Sequence, residues 1–233
     1  MNDKELVAHY AVGLVAEGMV VGLGTGSTAN CFIMELGMRS REKGLRVTIV
    51  ASSEVSKHFA QQQGLVVVEF DQVSQLDLYV DGADEVSPDS TLLKGQGADL
   101  VREKLLATAS KEFIVLADAS KLVDRIGQRF AIPIEVMPFA WQLLKNQLEA
   151  IGGHGELRQN PAKNGFALSS HGSLIADVSF DSSIPAKALN DSLNSISGIV
   201  EHGIFNDLAT TVLIANQGQM EVRKISRAFN AVK

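Results

Sequence analysis

Met19-Val20-Val21-Gly22-Leu23-Gly24-Thr25-Gly26-Ser27-Thr28 is the stretch on which the fold turns. A short apolar run followed at once by glycines and hydroxyl residues reads as a buried strand that bends sharply into a helix. Upstream, Leu6, Val7, Tyr10, Ala11, Leu14 and Val15 recur at helical spacing before Gly18. Downstream, the alternation continues with a helix from about Thr28, a strand at Val47 to Ala51, a helix at Glu54 to Gln63 and strands at Leu65 to Phe70 and Leu76 to Val80. Apolar strands without strict alternation, separated by helices, belong to a parallel sheet covered on both faces.

A helix from about Ala98 to Ala109 then leads into a strand at Phe113 to Asp118. Loops that follow strand ends of such a sheet share one edge, where open parallel sheets bind ligands. Near Gly127 the pattern changes. Pro133 to Met137 reads as a strand, Phe139 to Ile151 as a helix, two strands bracket Asn164-Gly165, Ala186 to Ser195 is helical and Ile199 to Phe205 is extended. That order, βαββαβ, is the split βαβ arrangement. Thr210 to Ala215 offers a further strand able to rejoin the first sheet. The expected architecture is α/β: a Rossmann-like, mostly parallel sheet domain over residues 1–126 and 206–233, with an inserted ferredoxin-like α+β domain over 127–205.

Composition narrows the function. The 233 residues are 45% hydrophobic and 21% charged, the balance of an ordinary folded protein. A net charge of -6 and the absence of a dense Lys/Arg cluster exclude nucleic acid as partner. The acidic start Met1-Asn2-Asp3-Lys4-Glu5 is unlike a signal peptide, and no apolar stretch is long enough to span a bilayer. With one cysteine, Cys31, and five scattered histidines, neither an intramolecular disulfide nor a structural zinc site is expected. The chain reads as cytoplasmic.

Four segments carry chemistry. Gly24-Thr25-Gly26-Ser27-Thr28 joins strand to helix, where backbone N–H groups, the positive helix end and hydroxyls suit a phosphate; the competing reading is a tight turn capped by Ser27 or Thr28. Gly22-x-Gly24-x-x also begins like a dinucleotide fingerprint, but the next position is Ser27 and the second strand ends in Ala51-Ser52-Ser53, without the acid that would hold a ribose hydroxyl. Asp81, Asp84 and Glu85 cluster at a strand end beside Gly82, in a pattern suited to a divalent cation, to sugar hydroxyls or to a turn. Lys94-Gly95-Gln96-Gly97 is a lysine with a flexible loop whose amides suit a developing oxyanion, just ahead of the helix bearing Glu103. Taken alone, a helical glutamate is most often solvated. Ala117-Asp118-Ala119-Ser120-Lys121 adds a second lysine at the same sheet edge.

These segments together resemble the type A ribose-5-phosphate isomerases: Gly-Thr-Gly-Ser-Thr at 24 to 28, Asp-Gly-Ala-Asp-Glu at 81 to 85, Lys-Gly-x-Gly-Ala at 94 to 98, Arg-Glu-Lys at 102 to 104, Ala-Asp-Ala-Ser-Lys at 117 to 121 and Pro-Ile-Glu-Val-Met-Pro at 133 to 138. The resemblance runs from the first helix to about Phe205 and is strongest before residue 140. It implies a metal-independent, cofactor-free exchange of ribose 5-phosphate with ribulose 5-phosphate through an enediol(ate), in a homodimer or homotetramer whose smaller domain serves oligomerisation. Carried over by position, it implies Glu103 as proton acceptor, with Asp81, Asp84 and Lys94 around the reacting carbons. Thr25, Gly26, Ser27, Thr28, Gly82, Ala83, Gly95, Gln96, Gly97, Lys121 and Lys4 are the further implied substrate contacts.

Two positions depart from the family pattern. Gln96 stands where the loop usually has glycine, and its Cβ disfavours positive φ; Asp99 brings negative charge where a small residue is usual. The rival readings are a sugar-phosphate sensor without catalysis and a related sugar-phosphate enzyme of the same superfamily with a shifted substrate, since fold alone does not fix activity.

Overall fold

The computed structural model describes residues 1–226; the end of the expected first domain, 227–233, lies outside the described residues. In chain order the elements are α1 (Asp3–Gly13), β1 (Val20–Leu23), α2 (Ser27–Lys43), β2 (Thr48–Ala51), α3 (Glu54–Gln62), β3 (Val66–Val67), β4 (Leu76–Gly82), β5 (Glu85–Val86) and β6 (Leu92–Leu93). They continue as α4 (Leu100–Ala109), β7 (Ser110–Asp118), β8 (Ile132–Val136), α5 (Trp141–Ala150), β9 (Gly153–Leu157) and β10 (Leu174–Phe180). The last are α6 (Ala186–Ser195), β11 (Ile199–His202), β12 (Ile204–Phe205), β13 (Thr211–Asn216) and β14 (Gln219–Lys224). They form two compact units: Met1–Ala83, Arg102–Lys121 and the described residues from Asp207 make the first, Asp84–Val101 and Leu122–Asn206 the second.

The first unit is built on a seven-stranded sheet of order β14-β13-β7-β4-β1-β2-β3. Every neighbouring pair is parallel except the β13–β14 hairpin. The apolar runs explain this: Val21, Leu23, Ile49, Val80, Ile114 and Leu116 are buried, against Val7 and Ala11 of α1 and Phe32 and Leu36 of α2. Burying one such large side chain contributes about 1.5–3 kcal/mol, which holds the helices on the sheet. Thr211–Asn216 does rejoin this sheet, parallel to β7. Helix starts follow local chemistry: Asn2 and Glu5 form a capping box at α1, and Ser53 accepts from the Ser56 N–H at α3.

The second unit contains an antiparallel sheet of order β11-β8-β10-β9. With α5 and α6 its elements run βαββαβ. One face packs Ile134, Val136, Ala176 and Val178 against Leu144, Leu148, Leu189 and Leu193 from the helices. A three-stranded sheet, β12-β6-β5, belongs to the same unit. Among the described residues no helix is long and apolar enough to cross a membrane.

Candidate active site

The glycines at 22, 24 and 26 each answer a local steric demand. Gly22 pairs with Tyr79 across β1–β4, and a Cβ there would stand 2.8 Å from the tyrosine ring. At Gly24 a Cβ would lie 1.8 Å from Asp81 Oδ1. Gly26 has φ +115° and is the residue before α2, with no side-chain capping bond at that helix start. Capping by Ser27 or Thr28, the competing reading of this turn, is therefore not what the segment does.

Instead the hydroxyls enter a network. Thr25 Oγ1 lies 3.1 Å from Ser52 Oγ and 2.6 Å from Ser53 Oγ, and Ser27 Oγ accepts from Lys4 Nζ at 2.9 Å. Gly26 and Ser27 are exposed and Thr28 is half-buried. Asp81 is fully buried at the end of β4 and accepts from Tyr79 Oη (2.5 Å), the Gly82 N–H (2.7 Å) and the Thr25 N–H (3.2 Å). It fastens the turn at 24–28 to the sheet, and Gly82 and Ala83 carry the chain onward from it. Because Asp81 is held on several sides, Gly24→Ala has no room to be absorbed. It is expected to destabilise the protein by about 1–3 kcal/mol in denaturant unfolding, the usual cost of overpacking; an unchanged midpoint would contradict this contact.

Glu103 is 5% exposed on α4, so the solvated reading of this residue gives way to a buried carboxylate. Burial pushes the Tyr79 hydroxyl well above its ordinary range, and the nearby charges of Asp81 and Glu103 push it further. Tyr79 thus keeps its proton and remains a donor to Asp81. Lys121 ends the turn Ala119–Lys121 after β7 and is half-buried.

In the second unit, Lys94 is 4% exposed, with Nζ 5.7 Å from the Phe205 ring centroid. Its backbone N–H donates to Gly203 O at 2.9 Å. The turn that follows uses positive φ at Gly95 (+102°) and Ala98 (+65°), and a Cβ on Gly95 would meet Leu100 at 1.8 Å. Gln96 is not among the positive-φ residues, so its side chain is accommodated at an exposed position. Its N–H donates to Asp84 Oδ2 at 3.4 Å. Asp99 accepts from Ser170 Oγ. Glu85, the third acid of the strand-end cluster, is instead consumed by backbone N–H groups of Gly127 (2.7 Å), Arg129 (2.7 Å) and Phe130 (3.0 Å).

Several residues were not singled out from the sequence. Tyr79 lies two positions before Asp81 on one strand face, a period-two relation that marks it as a neighbour. Ser52, Ser53 and Ser56 follow β2, and the three-residue spacing of Ser53 and Ser56 is that of a helix cap and says nothing of a site. Arg158 and Asp177 pair at 2.6 Å, brought together only by the β9–β10 register.

The family model described as "Ribose 5-phosphate isomerase A (phosphoriboisomerase A)" matches residues 48–219. A ribose-5-phosphate isomerase A from Thermosynechococcus vestitus is 40% identical over 225 residues, covering 95% of each chain. One from Thermococcus kodakarensis is 42% identical over 212 residues, 91% of this chain and 93% of the other. Among solved structures, ribose 5-phosphate isomerase A from Methanocaldococcus jannaschii superimposes with TM-score 0.91 at 39% identity, covering 96% of this chain and 98% of that one. A D-ribose-5-phosphate isomerase in complex with phospho-erythronic acid gives TM-score 0.92 at 34% identity, over 97% and 100% of the two chains. The mostly parallel α/β sheet and these similarities over most of the chain agree: the chain belongs to the ribose 5-phosphate isomerase A family of isomerases.

Proposed function

We propose that this protein interconverts ribose 5-phosphate and ribulose 5-phosphate by moving a proton between C2 and C1 through an enediol(ate), with no metal ion or cofactor. The observation that carries this reading is the burial of Glu103, a carboxylate kept out of water on α4 within the electrostatic reach of Tyr79. A carboxylate of ordinary pKa, about 4.3, deprotonates a carbon acid only if the product anion is strongly stabilised. Lys94 and the amides of Gly95, Gln96 and Gly97 take that role, while Glu103 accepts the proton from one carbon and returns it to the other. Asp84 serves ring opening and hydroxyl proton transfer, and Asp81 holds the turn at 24–28 in shape.

Thr25, Gly26, Ser27, Thr28 and the lysines Lys4 and Lys121 receive the phosphate, with Gly82 and Ala83 lining the sugar. The phospho-erythronic acid complex of a similar isomerase supports a phosphorylated acyclic sugar as the ligand class. The same proposal places the enzyme in the cytoplasm, since a phosphorylated sugar does not cross a bilayer unaided. It also assigns the second unit to association between copies, as a homodimer or homotetramer.

The metal-free part rests on how the acids are used: Glu85 is taken up by three backbone N–H groups and Asp81 by Tyr79 and the turn. The test is isomerisation of ribose 5-phosphate by the purified protein in excess chelator, where full turnover is expected. Strict dependence on added Mg2+ or Mn2+ would remove the metal-free claim. Binding of the sugar phosphate without turnover, in a folded protein, would make the chain a sensor.

A further inference from the structure

We propose that Arg158, fixed by Asp177, is a positioning residue for the reaction: it sets the direction of the backbone amides in the Lys94–Gly97 loop. The inference rests on the reading that this loop stabilises the enediolate.

Arg158 follows β9, and its side chain is only 16% exposed. One edge of the guanidinium grips the Asp177 carboxylate, Nε to Oδ2 at 2.8 Å and Nη2 to Oδ1 at 2.6 Å. This two-point pairing fixes the plane of the guanidinium as well as its place. The remaining nitrogen, Nη1, donates to two successive carbonyls of the loop, Gln96 O at 3.0 Å and Gly95 O at 3.3 Å.

The consequence follows from peptide geometry. In a planar trans peptide the N–H of one residue points opposite to the C=O of the residue before it. No described peptide bond is cis. Drawing the Gly95 and Gln96 carbonyls to the guanidinium therefore turns the Gln96 and Gly97 N–H groups to the other side. The direction is verified at Gln96, whose N–H is aimed at Asp84 Oδ2. The Gly95 carbonyl also accepts from the Ala98 N–H at 3.2 Å within the turn, so there Arg158 adds to a local bond, whereas at the Gln96 carbonyl, in a loop whose two glycines leave the peptide free to turn, the guanidinium sets the orientation. The clamp is electrostatically apt: carbonyl oxygens gather at a cation, and the Gly97 N–H is turned to the opposite side, where an anion would be received, beside the Gln96 N–H that faces Asp84.

Lysine cannot reproduce this clamp, because a single ammonium lacks the planar fork that serves Asp177 and both carbonyls at once. Arg158→Lys is expected to lower kcat by about 100-fold, the scale of losing one oxyanion donor, with KM changed by less than about threefold. Asp177→Asn, nearly isosteric, is expected to lower kcat in the same sense by about tenfold by loosening the guanidinium. Inhibition by phospho-erythronic acid, whose carboxylate stands in for the enediolate, is expected to weaken in proportion to the loss in kcat/KM. Thermal unfolding of both variants checks that the fold is kept.

Lys94→Ala is measured alongside. If Lys94→Ala loses turnover while Arg158→Lys and Asp177→Asn keep wild-type kcat and inhibitor affinity, the positioning role is overturned and the oxyanion reading stands. A rise in KM alone for Arg158→Lys also overturns it. If Lys94→Ala keeps full turnover, the oxyanion reading fails, and the role of Arg158 falls with it.

Discussion

Glu103→Gln is expected to reduce kcat by about 100- to 10,000-fold, the range that a positioned general base contributes, with little change in KM. Glutamine keeps the volume and burial of the 5%-exposed side chain, so the fold on α4 is preserved. What is lost is the lone pair that takes a hydrogen from carbon. Tyr79 does not substitute for it, since burial and the adjacent carboxylates hold its hydroxyl protonated. Steady-state kinetics in both directions of the isomerisation check this, and retention of full turnover would remove Glu103 from the mechanism.

Lys94→Ala carries the second large effect, a loss of about 100- to 1000-fold in kcat, because the developing oxyanion loses a charged donor in a water-poor setting. Lys94 is 4% exposed, and truncation also removes buried methylenes, so Lys94→Met serves as the companion variant that keeps the volume. Both variants are expected to lose turnover alike. A variant that raised KM and left kcat intact would instead mark Lys94 as a phosphate ligand.

The parallel sheet was legible because fully buried strands read as continuous apolar runs. Val20–Leu23, Thr48–Ala51 and Leu76–Gly82 lie where those runs fall. The strand expected at 65–70 is shorter, Val66–Val67, because the chain turns into a short 3-10 segment at Phe70–Gln72. The strands expected beside Asn164-Gly165 stand further apart, as Leu157 ends β9 and Leu174 begins β10. Asn160 closes a local turn between them, its N–H donating to Gly165 O at 2.9 Å. The two-residue strands β5 and β6 are too short to show a period, and the mostly exposed β14 offers no apolar run.

The candidate site divides in the same way. Segments whose role depends on local chemistry, such as Gly24–Thr28 and Lys94–Gly97, stand out as motifs. Properties that arise from packing do not: the burial of Glu103 is set by what covers α4. The clamp of Arg158 exists only because β9 and β10 pair in one register, with Asp177 opposite Glu156. The opposite lesson comes from Gln96, where the side chain that looked awkward falls outside the positive-φ positions.

Hydrogen exchange at carbon tests the central claim most directly. Ribose 5-phosphate incubated in D2O with the wild-type protein is expected to gain solvent deuterium at C2, and ribulose 5-phosphate at C1, as followed by proton NMR. With Glu103→Gln at equal concentration both signals are expected to stay protiated over the same time. Undiminished deuterium uptake by the variant would contradict a mechanism in which this one carboxylate carries the proton between adjacent carbons.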